Sequence, residues 1–222
     1  MKFQVNKAAA ANKAAVTEAD MPLINAQAMV ELTPDDVFVF RCEACNDQVD
    51  RDGERFATAA LPALAKMFVG KTVICDHRWS ASNQQARIYA SSVEQRDGGV
   101  TALMVSCYML RNESTKDTIA AIEGGILREV SVGCCMGRVV CSICGKDACT
   151  CEHHKGATYD GELCVYELCN PIDAYELSFV AVPAQPRAGI IKNHDTTGWT
   201  PADMAAAKAM LDIENERWRF TQ

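Results

Sequence analysis

Short apolar runs separated by turn residues dominate the middle of the chain and predict a sheet-rich domain. The runs at 37–42 (Val-Phe-Val-Phe-Arg-Cys) and 71–75 (Lys-Thr-Val-Ile-Cys) have the length and the β-branched or aromatic content of strands. Two longer runs, 86–93 and 100–109, flank the Arg-Asp-Gly-Gly turn at 96–99. Because Asp-Gly is a strong turn signal between apolar runs, this segment is predicted to be a β-hairpin.

The second half of the domain contains strands with one apolar and one polar face. In 128–133 (Arg-Glu-Val-Ser-Val-Gly) the valines alternate with polar or small residues, so Ser131 is predicted on the polar face. In 174–182 (Ala-Tyr-Glu-Leu-Ser-Phe-Val-Ala-Val) the same alternation places Glu176 on a polar face. A further short strand is predicted at 164–168.

Helical spacing of apolar residues is limited to a few segments. Helices are predicted at 61–68, which is followed by Gly70, and within 112–125, which ends in Gly-Gly. Residues 1–30 are rich in Ala, Lys and Asn and have no sustained apolar period. The predicted organisation is a flexible arm at 1–30, one domain at 31–192, and a tail at 193–222 with an amphipathic helix over 201–220.

Composition and charge narrow the possible functions. A chain of 222 residues that is 49% hydrophobic can bury one good core. A net charge of −7 argues against a dedicated nucleic-acid binder, which needs a basic surface. No apolar run reaches the roughly 18 residues of a membrane span, and the N-terminus lacks the layout of a signal peptide. We therefore expect a soluble intracellular protein with reduced cysteines, without nucleic-acid or membrane partners.

A cluster of metal-ligand residue types follows the strand that carries Ser131. Four cysteines and two histidines lie within the 14 residues from 141 to 154. Thiolates and imidazoles at such spacings can surround Zn²⁺ tetrahedrally, and iron would also accept a thiolate-rich shell. The predicted site is a structural zinc knuckle inserted at 138–163; free thiols are the alternative. Its predicted ligands are Cys141, Cys144, Cys151 and His153, with Cys149 as a substitute for one of them.

Ser131 and His77 are the candidates for catalysis. A serine hydroxyl becomes a useful nucleophile when an imidazole accepts its proton and a third group orients that imidazole. Of the four histidines, His153 and His154 lie in the predicted metal cluster and His194 lies in the polar tail, which leaves His77 as the base. Cys134 and Cys135 follow the serine strand and suggest a cysteine hydrolase as an alternative, although core packing explains them better.

Three segments, in order, resemble one family. They are 68–77 (Phe-Val-Gly-Lys-Thr-Val-Ile-Cys-Asp-His), 125–133 (Gly-Ile-Leu-Arg-Glu-Val-Ser-Val-Gly) and 174–186, which ends in Pro-Ala-Gln-Pro. From about residue 37 to 191 the chain resembles the tailed-bacteriophage prohead proteases, serine peptidases of capsid maturation related to the herpesvirus assemblins. The resemblance implies an α+β fold with a mainly antiparallel, barrel-like sheet and surrounding helices. Some members of that family carry a similar cysteine-rich insertion.

The resemblance also implies roles for single residues. Ser131 corresponds to the nucleophile and His77 to the general base. For the third member we favour Glu176, because its Glu-Leu-Ser pattern repeats the Glu-Val-Ser around Ser131 and a carboxylate can hold an imidazole in one tautomer. The assemblins use a second histidine at this place, which only His194 could supply here. Asp173 and Asp76 are further alternatives, and Arg187 is a candidate oxyanion donor.

The function implied by the resemblance is limited proteolysis during assembly of a phage head. The substrates would be scaffold and capsid proteins, with self-cleavage possible, inside the assembling prohead in the host cytoplasm. A homodimer is implied as well, because the related assemblins are active as dimers. The alternative is a non-catalytic head-assembly or scaffold protein that uses the zinc loop for protein contacts.

Overall fold

The computed structural model describes residues 16–191, where three α-helices accompany ten strands. The helices are α1 (Asp20–Asn25), α2 (Leu61–Phe68) and α3 (Lys116–Glu123). The strands are β1 (Val37–Asn46), β2 (Glu54–Phe56), β3 (Thr72–Cys75), β4 (Ala86–Arg96), β5 (Val100–Leu110), β6 (Val130–Cys141), β7 (Thr158–Tyr159), β8 (Glu162–Leu163), β9 (Tyr166–Phe179) and β10 (Gly189–Ile190).

Eight of these strands form one sheet, which dominates the α+β fold. Its order is β10-β1-β5-β4-β3-β9-β2, and β6 pairs with the other edge of β9. The pairs are antiparallel except that β2 and β3 each run parallel to β9. Strands β7 and β8 form a separate small ribbon. A single bridge between Glu129 and Gly189 brings the start of β6 next to β10, but the sheet of residues 16–191 is not a closed barrel.

The main core lies between one face of the sheet and helices α2 and α3. Helix α2 contributes Leu61, Leu64 and Phe68, all fully buried, at the i, i+3 and i+7 spacing of one helix face. Phe40 of β1 and Phe179 of β9 have ring centroids 5.8 Å apart in the same core. Cys75, the last residue of β3, pairs with Phe179 and packs against this core, so the chain leaves β3 beside a buried part of the molecule.

Helix α1 corrects the predicted extent of the N-terminal arm. Leu23 and Ile24 are buried in a second core cluster with Val37 and Tyr89 on the opposite face of the sheet. The hydroxyl of Tyr89 donates to Asp20 Oδ1 at 2.9 Å. The prediction of a flexible arm through residue 30 is therefore wrong for residues 20–25, because Leu23 and Ile24 pack this helix against the sheet. Residues 1–15 lie outside the described part.

Most predicted elements are present with altered ends. The hairpin is confirmed as β4 and β5, and the helix predicted at 61–68 is confirmed as α2. The two strands predicted at 164–168 and 174–182 are one strand, β9, whose pairing with β6 is interrupted by two register shifts. None of the described helices has the length and apolarity needed to cross a membrane. The tail predicted at 193–222, with its helix over 201–220, lies outside the described residues.

Candidate functional site: a buried carboxylate, a histidine and a serine on two paired strands

The register of β6 against β9 brings four candidate groups onto one face of the sheet. Ser131 lies opposite Ser178, and Gly133 lies opposite Glu176. Residues directly opposite in an antiparallel pair point to the same face, so these four residues share it. The neighbouring residues Val130 and Leu177 point the other way, into the main core. The alternation predicted from sequence therefore places Ser131 and Glu176 on the same surface.

His77 reaches this face from the turn that follows β3. Strand β3 runs parallel to β9, with Cys75 opposite Phe179. The backbone then turns sharply: Asp76 and His77 have φ values of 56° and 52°, which are costly for residues with side chains. Two hydrogen bonds hold the turn, from Asp76 N to Phe179 O at 2.9 Å and from His77 N to Ser178 Oγ at 2.8 Å.

Glu176 binds the imidazole of His77 directly. His77 Nδ1 lies 2.7 Å from Glu176 Oε1, and the side chain of Glu176 is only 3% exposed while that of His77 is 42% exposed. An ionised carboxylate only accepts hydrogen bonds, so this pairing puts the ring hydrogen on Nδ1 and leaves Nε2 able to accept a proton. Among residues 16–191, the second carboxylate oxygen, Oε2, is buried without a hydrogen-bond partner.

Gly133 makes room for that carboxylate. A Cβ built at position 133 would lie 2.2 Å from Glu176 Oε1 and 3.0 Å from its Cδ, closer than non-bonded atoms approach. Any side chain at this position would therefore push the carboxylate away from His77. Gly133, the glycine of the Ser-Val-Gly motif, is required because Glu176 lies directly opposite it on β9, two residues before Ser178.

Ser131 is partly exposed and lies beside a cleft. In the described part of the chain no hydrogen bond joins its hydroxyl to the ring of His77. A cleft of about 270 Å³ is lined by Ser131, Met136, Phe56, Ala184 and Ala188, with other residues. His77 and Glu176 do not line it, so it is separate from the point where the imidazole and the carboxylate meet.

The other candidates for the third catalytic position lie elsewhere. Asp173 Oδ1 is 3.5 Å from Lys71 Nζ and accepts a hydrogen bond from the backbone of Ala174, away from His77. Asp76 is in the turn itself, and among the described residues only Glu176 binds the His77 ring through a carboxylate. His194 lies outside the described residues. Of the acidic and histidine candidates, Glu176 is the one that contacts the predicted base.

The predicted oxyanion donor, Arg187, is in a loop held next to β6. Arg187 Nε lies 3.5 Å from Oε1 of the buried Glu43. In the same loop, Gln185 is buried: its Oε1 accepts from Asn46 N at 2.6 Å and its Nε2 donates to Asn46 O at 3.1 Å. The loop also meets the serine strand, because Val130 N donates to Ala188 O at 3.4 Å. The loop is thus fixed one residue away from Ser131.

The thiol of Cys134 is poorly suited to be a nucleophile. Cys134 packs against the main core, and burial, followed by the nearby Cys135 and Glu176, raises the pKa of its thiol to about 11. Cysteine nucleophiles need the thiolate form near neutral pH. The structure therefore favours the packing role of Cys134 over the cysteine-hydrolase alternative.

Four predicted ligands form a cluster that can hold a metal such as zinc. The ligand atoms of Cys141, Cys144, Cys151 and His153 all lie within 4.8 Å of one another. Within residues 16–191, His153 Nδ1 is buried and has no hydrogen-bond partner, which is expensive unless a metal or a donor group completes it. Cys149, the predicted substitute, is exposed and is not part of this group.

Backbone amides favour the thiolate form of Cys141, which is the form that binds a metal. Burial raises the pKa of the Cys141 thiol, but the backbone N–H groups of Cys144 and Ile143 and the neighbouring thiols of Cys164 and Cys151 lower it to about 6. Gly145, at φ 68°, closes the turn by donating its N–H to Cys141 O at 2.9 Å. A turn that favours the thiolate and needs a positive φ, which glycine adopts without strain, is the structural basis of the Cys-x-x-Cys-Gly pattern.

Three residues of these sites were missed from sequence. Ser178 and Gly133 were seen only as members of strands, although their positions opposite Ser131 and Glu176 follow once the two strands are paired in register. Cys164 was predicted only as the first residue of a strand, but its sulfur lies 3.7 Å from that of Cys141. The available signal for Cys164 was its place between the cysteine cluster and a predicted strand.

The sequence finds no counterpart in two comparisons with known proteins. No protein-family model matches the chain, and no curated protein matches it. Function is therefore inferred from the chemistry of the site and from the short motifs that carry it.

Proposed function

We propose that the protein is a serine endopeptidase in which Ser131 is the nucleophile, His77 the general base and Glu176 the group that orients His77. The observation that carries this proposal is the 2.7 Å contact between His77 Nδ1 and the buried Glu176, on the same strand face as Ser131. A histidine held by a buried carboxylate and exposed at its other nitrogen is the arrangement that general-base catalysis needs.

The proposed reaction follows from these three groups. Ser131 Oγ attacks the carbonyl carbon of a peptide bond as its proton moves to His77 Nε2, giving a tetrahedral intermediate. His77 then returns the proton to the leaving amine, which leaves an acyl ester on Ser131. Water, activated by His77, hydrolyses this ester. Hydrogen bonds between nucleophile and base are often long in the absence of substrate, so substrate binding would bring Ser131 and His77 together.

We propose the bacteriophage prohead protease as the biological role. The basis is the resemblance of the three ordered motifs, which include His77, Ser131 and Glu176. In this role the fold is herpesvirus-protease-like, the active form is a homodimer, and the substrates are the scaffold and capsid proteins of the same phage inside the prohead. The metal cluster then serves as a structural part of an insertion, at the end of β6 that is farthest from Ser131.

Labelling with a fluorophosphonate tests the catalytic proposal without knowledge of the natural substrate. The reagent phosphonylates a serine only when a base activates it, so the wild-type protein should gain one adduct on Ser131. Ser131→Ala should gain none, and His77→Ala should react at least roughly 100-fold more slowly, because general-base catalysis contributes that much or more. Ser82→Ala is the matched control, since Ser82 is exposed and hydrogen-bonds only to Ser80 among the described residues.

Two outcomes would oppose the proposal. If Ser131 is unreactive in the folded wild-type protein, or if its reaction is unaffected by His77→Ala, then these residues do not form a catalytic unit. The non-catalytic head-assembly protein would then become the leading interpretation, since it requires the fold and the metal loop but no activated serine.

A further inference from the structure

Cys164 and Cys141 face each other where the long insertion leaves the sheet. Cys141 is the last residue of β6, and Cys164 stands two residues before β9. Both side chains are fully buried, and their Sγ atoms are 3.7 Å apart. The backbone of Cys164 is held on both sides: its N–H donates to Ala157 O at 2.8 Å, and its carbonyl accepts from Gly156 N at 2.9 Å.

The distance between the two sulfurs matches that of two thiolates on one ion. With zinc–sulfur bonds of about 2.3 Å at tetrahedral angles, two sulfurs lie about 3.8 Å apart. A disulfide would need about 2.05 Å. The observed separation fits two thiolates on one ion, and equally a thiol–thiol hydrogen bond in the absence of an ion, but it does not fit a covalent bond.

We propose that Cys164 is a ligand of the metal, so that Cys141, Cys144, Cys151 and Cys164 surround the ion with four thiolates. This inference rests on the metal cluster and is independent of the proposed protease activity. It adds a residue to the predicted ligands and moves His153 out of the shell. Zinc favours such four-cysteine sites in structural roles.

His153 then has a different task. A ring nitrogen of His153 lies within 4.8 Å of the three sulfurs of Cys141, Cys144 and Cys151, and its ring packs edge-on against Tyr159 with centroids 4.5 Å apart. Four thiolates on Zn²⁺ carry a net charge of −2, which N–H donors beside the sulfurs stabilise. In this proposal His153 is a positioning residue: its buried Nδ1, which has no hydrogen-bond partner among residues 16–191, would carry the hydrogen and donate it to a thiolate of the loaded site.

A four-thiolate shell also explains what the metal holds together. Cys141 and Cys144 belong to the end of β6 and its turn, Cys151 to the middle of the insertion, and Cys164 to the entry of β9. With Cys164 included, the ion connects both ends of the insertion. Without it, the ion would connect β6 only to the loop, and the return to β9 would depend on hydrogen bonds such as those of Val165 N to Ser142 Oγ at 3.0 Å and of Tyr166 Oη to His153 O at 3.2 Å.

The number of sulfur ligands can be measured on the zinc-loaded wild-type protein by X-ray absorption at the zinc edge. Four sulfur neighbours support the proposal; three sulfurs and one nitrogen overturn it. This measurement needs no variant, so it does not depend on whether a mutated protein folds.

Substitution identifies which side chains bind. Each variant is loaded with Co²⁺, whose thiolate charge-transfer absorption reports the number of sulfur ligands, and is then titrated with Zn²⁺ against a chelator. Cys164→Ser should lose charge-transfer intensity and bind Zn²⁺ more than roughly 100-fold more weakly, since even second-shell changes cost up to that factor. His153→Ala should keep the four-thiolate spectrum, as should Cys149→Ser, the exposed control. If Cys164→Ser keeps the wild-type spectrum and affinity while His153→Ala loses them, His153 is the ligand and the proposal fails.

Discussion

At the scale of single residues, the contact between Glu176 and His77 depends on the absence of a side chain at Gly133. The carboxylate occupies the space where a Cβ would be, and among the described residues its Oε2 has no hydrogen-bond partner, so the contact with His77 is made by Oε1 alone. The absence of a side chain at Gly133 therefore lets Glu176 reach His77 and hold its imidazole in one tautomer.

Gly133→Ala is expected to separate Glu176 from His77. The added methyl group at 2.2 Å from Oε1 forces the carboxylate out of its place, and the imidazole loses its orientation. We expect fluorophosphonate labelling of Ser131 to slow by roughly 10²–10⁴-fold, the range for general-base catalysis. Gly137→Ala is the matched control: it is on the same strand, but its Cβ would meet Asn170 and Ile172 instead. Equal loss in both variants would show that strain in β6, and not the carboxylate, is responsible.

Glu176→Gln tests the carboxylate more directly. The amide has nearly the same shape, so the packing on β9 should be retained, but it can donate as well as accept and carries no charge. The imidazolium formed during reaction then loses its stabilising partner, and we expect labelling of Ser131 to fall by up to about 10⁴-fold. The melting temperature of the variant, measured in parallel, separates loss of reactivity from loss of fold. Unchanged labelling would remove Glu176 from the proposed site.

Cys134 should play no part in this chemistry. Burial raises the pKa of its thiol to about 11, so the thiol stays protonated at neutral pH. Cys134→Ala is expected to label at Ser131 at the wild-type rate, and iodoacetamide at pH 7.5 should modify the exposed Cys149 much faster than Cys134 when peptides are compared by mass spectrometry. Rapid alkylation of Cys134 would reopen the cysteine-hydrolase interpretation.

At the scale of elements, the antiparallel pair β6 and β9 carries both sites at opposite ends. Ser131 and Ser178 are near one end, and Cys141 pairs with Tyr166 at the other. Cys141 lies ten positions after Ser131 along β6, a distance of about 30 Å. A metal that holds the far end of the pair therefore stabilises the pairing without touching the reacting groups.

Removal of the metal should loosen only the distant end of this pair. Binding free energy at a structural zinc site is folding free energy for the segment around it. After chelation, we expect faster amide hydrogen exchange in 139–164, while 130–133 and 176–179 stay protected by the main core. Labelling of Ser131 should persist. If chelation abolishes labelling together with protection at 130–133, the metal supports the whole domain instead of the insertion.

Elements marked by local sequence signals could be predicted. Features that depend on how distant strands pair with each other could not. The hairpin and α2 were predictable because turn residues and helical spacing mark their ends. The choice of Glu176 was possible because strand alternation fixes faces. The continuity of β9 was not predictable, because its two register shifts depend on how β6 pairs with it. The proposed role of Cys164 as a metal ligand depends on the same pairing, because the pairing brings Cys164 next to Cys141. Helix α1 was missed because its docking surface, around Tyr89, comes from residues far along the chain.

At the scale of the whole molecule, the protein combines an acidic surface with an enzyme site that is proposed to act inside a closed shell. The net charge of −7 disfavours contact with packaged nucleic acid and is compatible with the protein substrates proposed above. In the proposed role, confinement with scaffold and capsid proteins would raise their local concentration, so a modest intrinsic rate would suffice for complete processing.

Co-expression tests this role directly. Wild-type protein and Ser131→Ala are each expressed with the scaffold and capsid proteins of the same phage, and every chain is weighed by intact mass spectrometry. The wild type should give trimmed products whose masses define the cleavage sites, whereas the folded mutant should leave full-length chains, because loss of the nucleophile removes the acyl intermediate. Cys164→Ser tests whether the metal site is needed for cleavage. If the variant domain is folded, its products should have the same masses as those of the wild type. Identical uncut chains from wild type and Ser131→Ala would instead support the head-assembly role, in which the same fold and metal loop act through contacts alone.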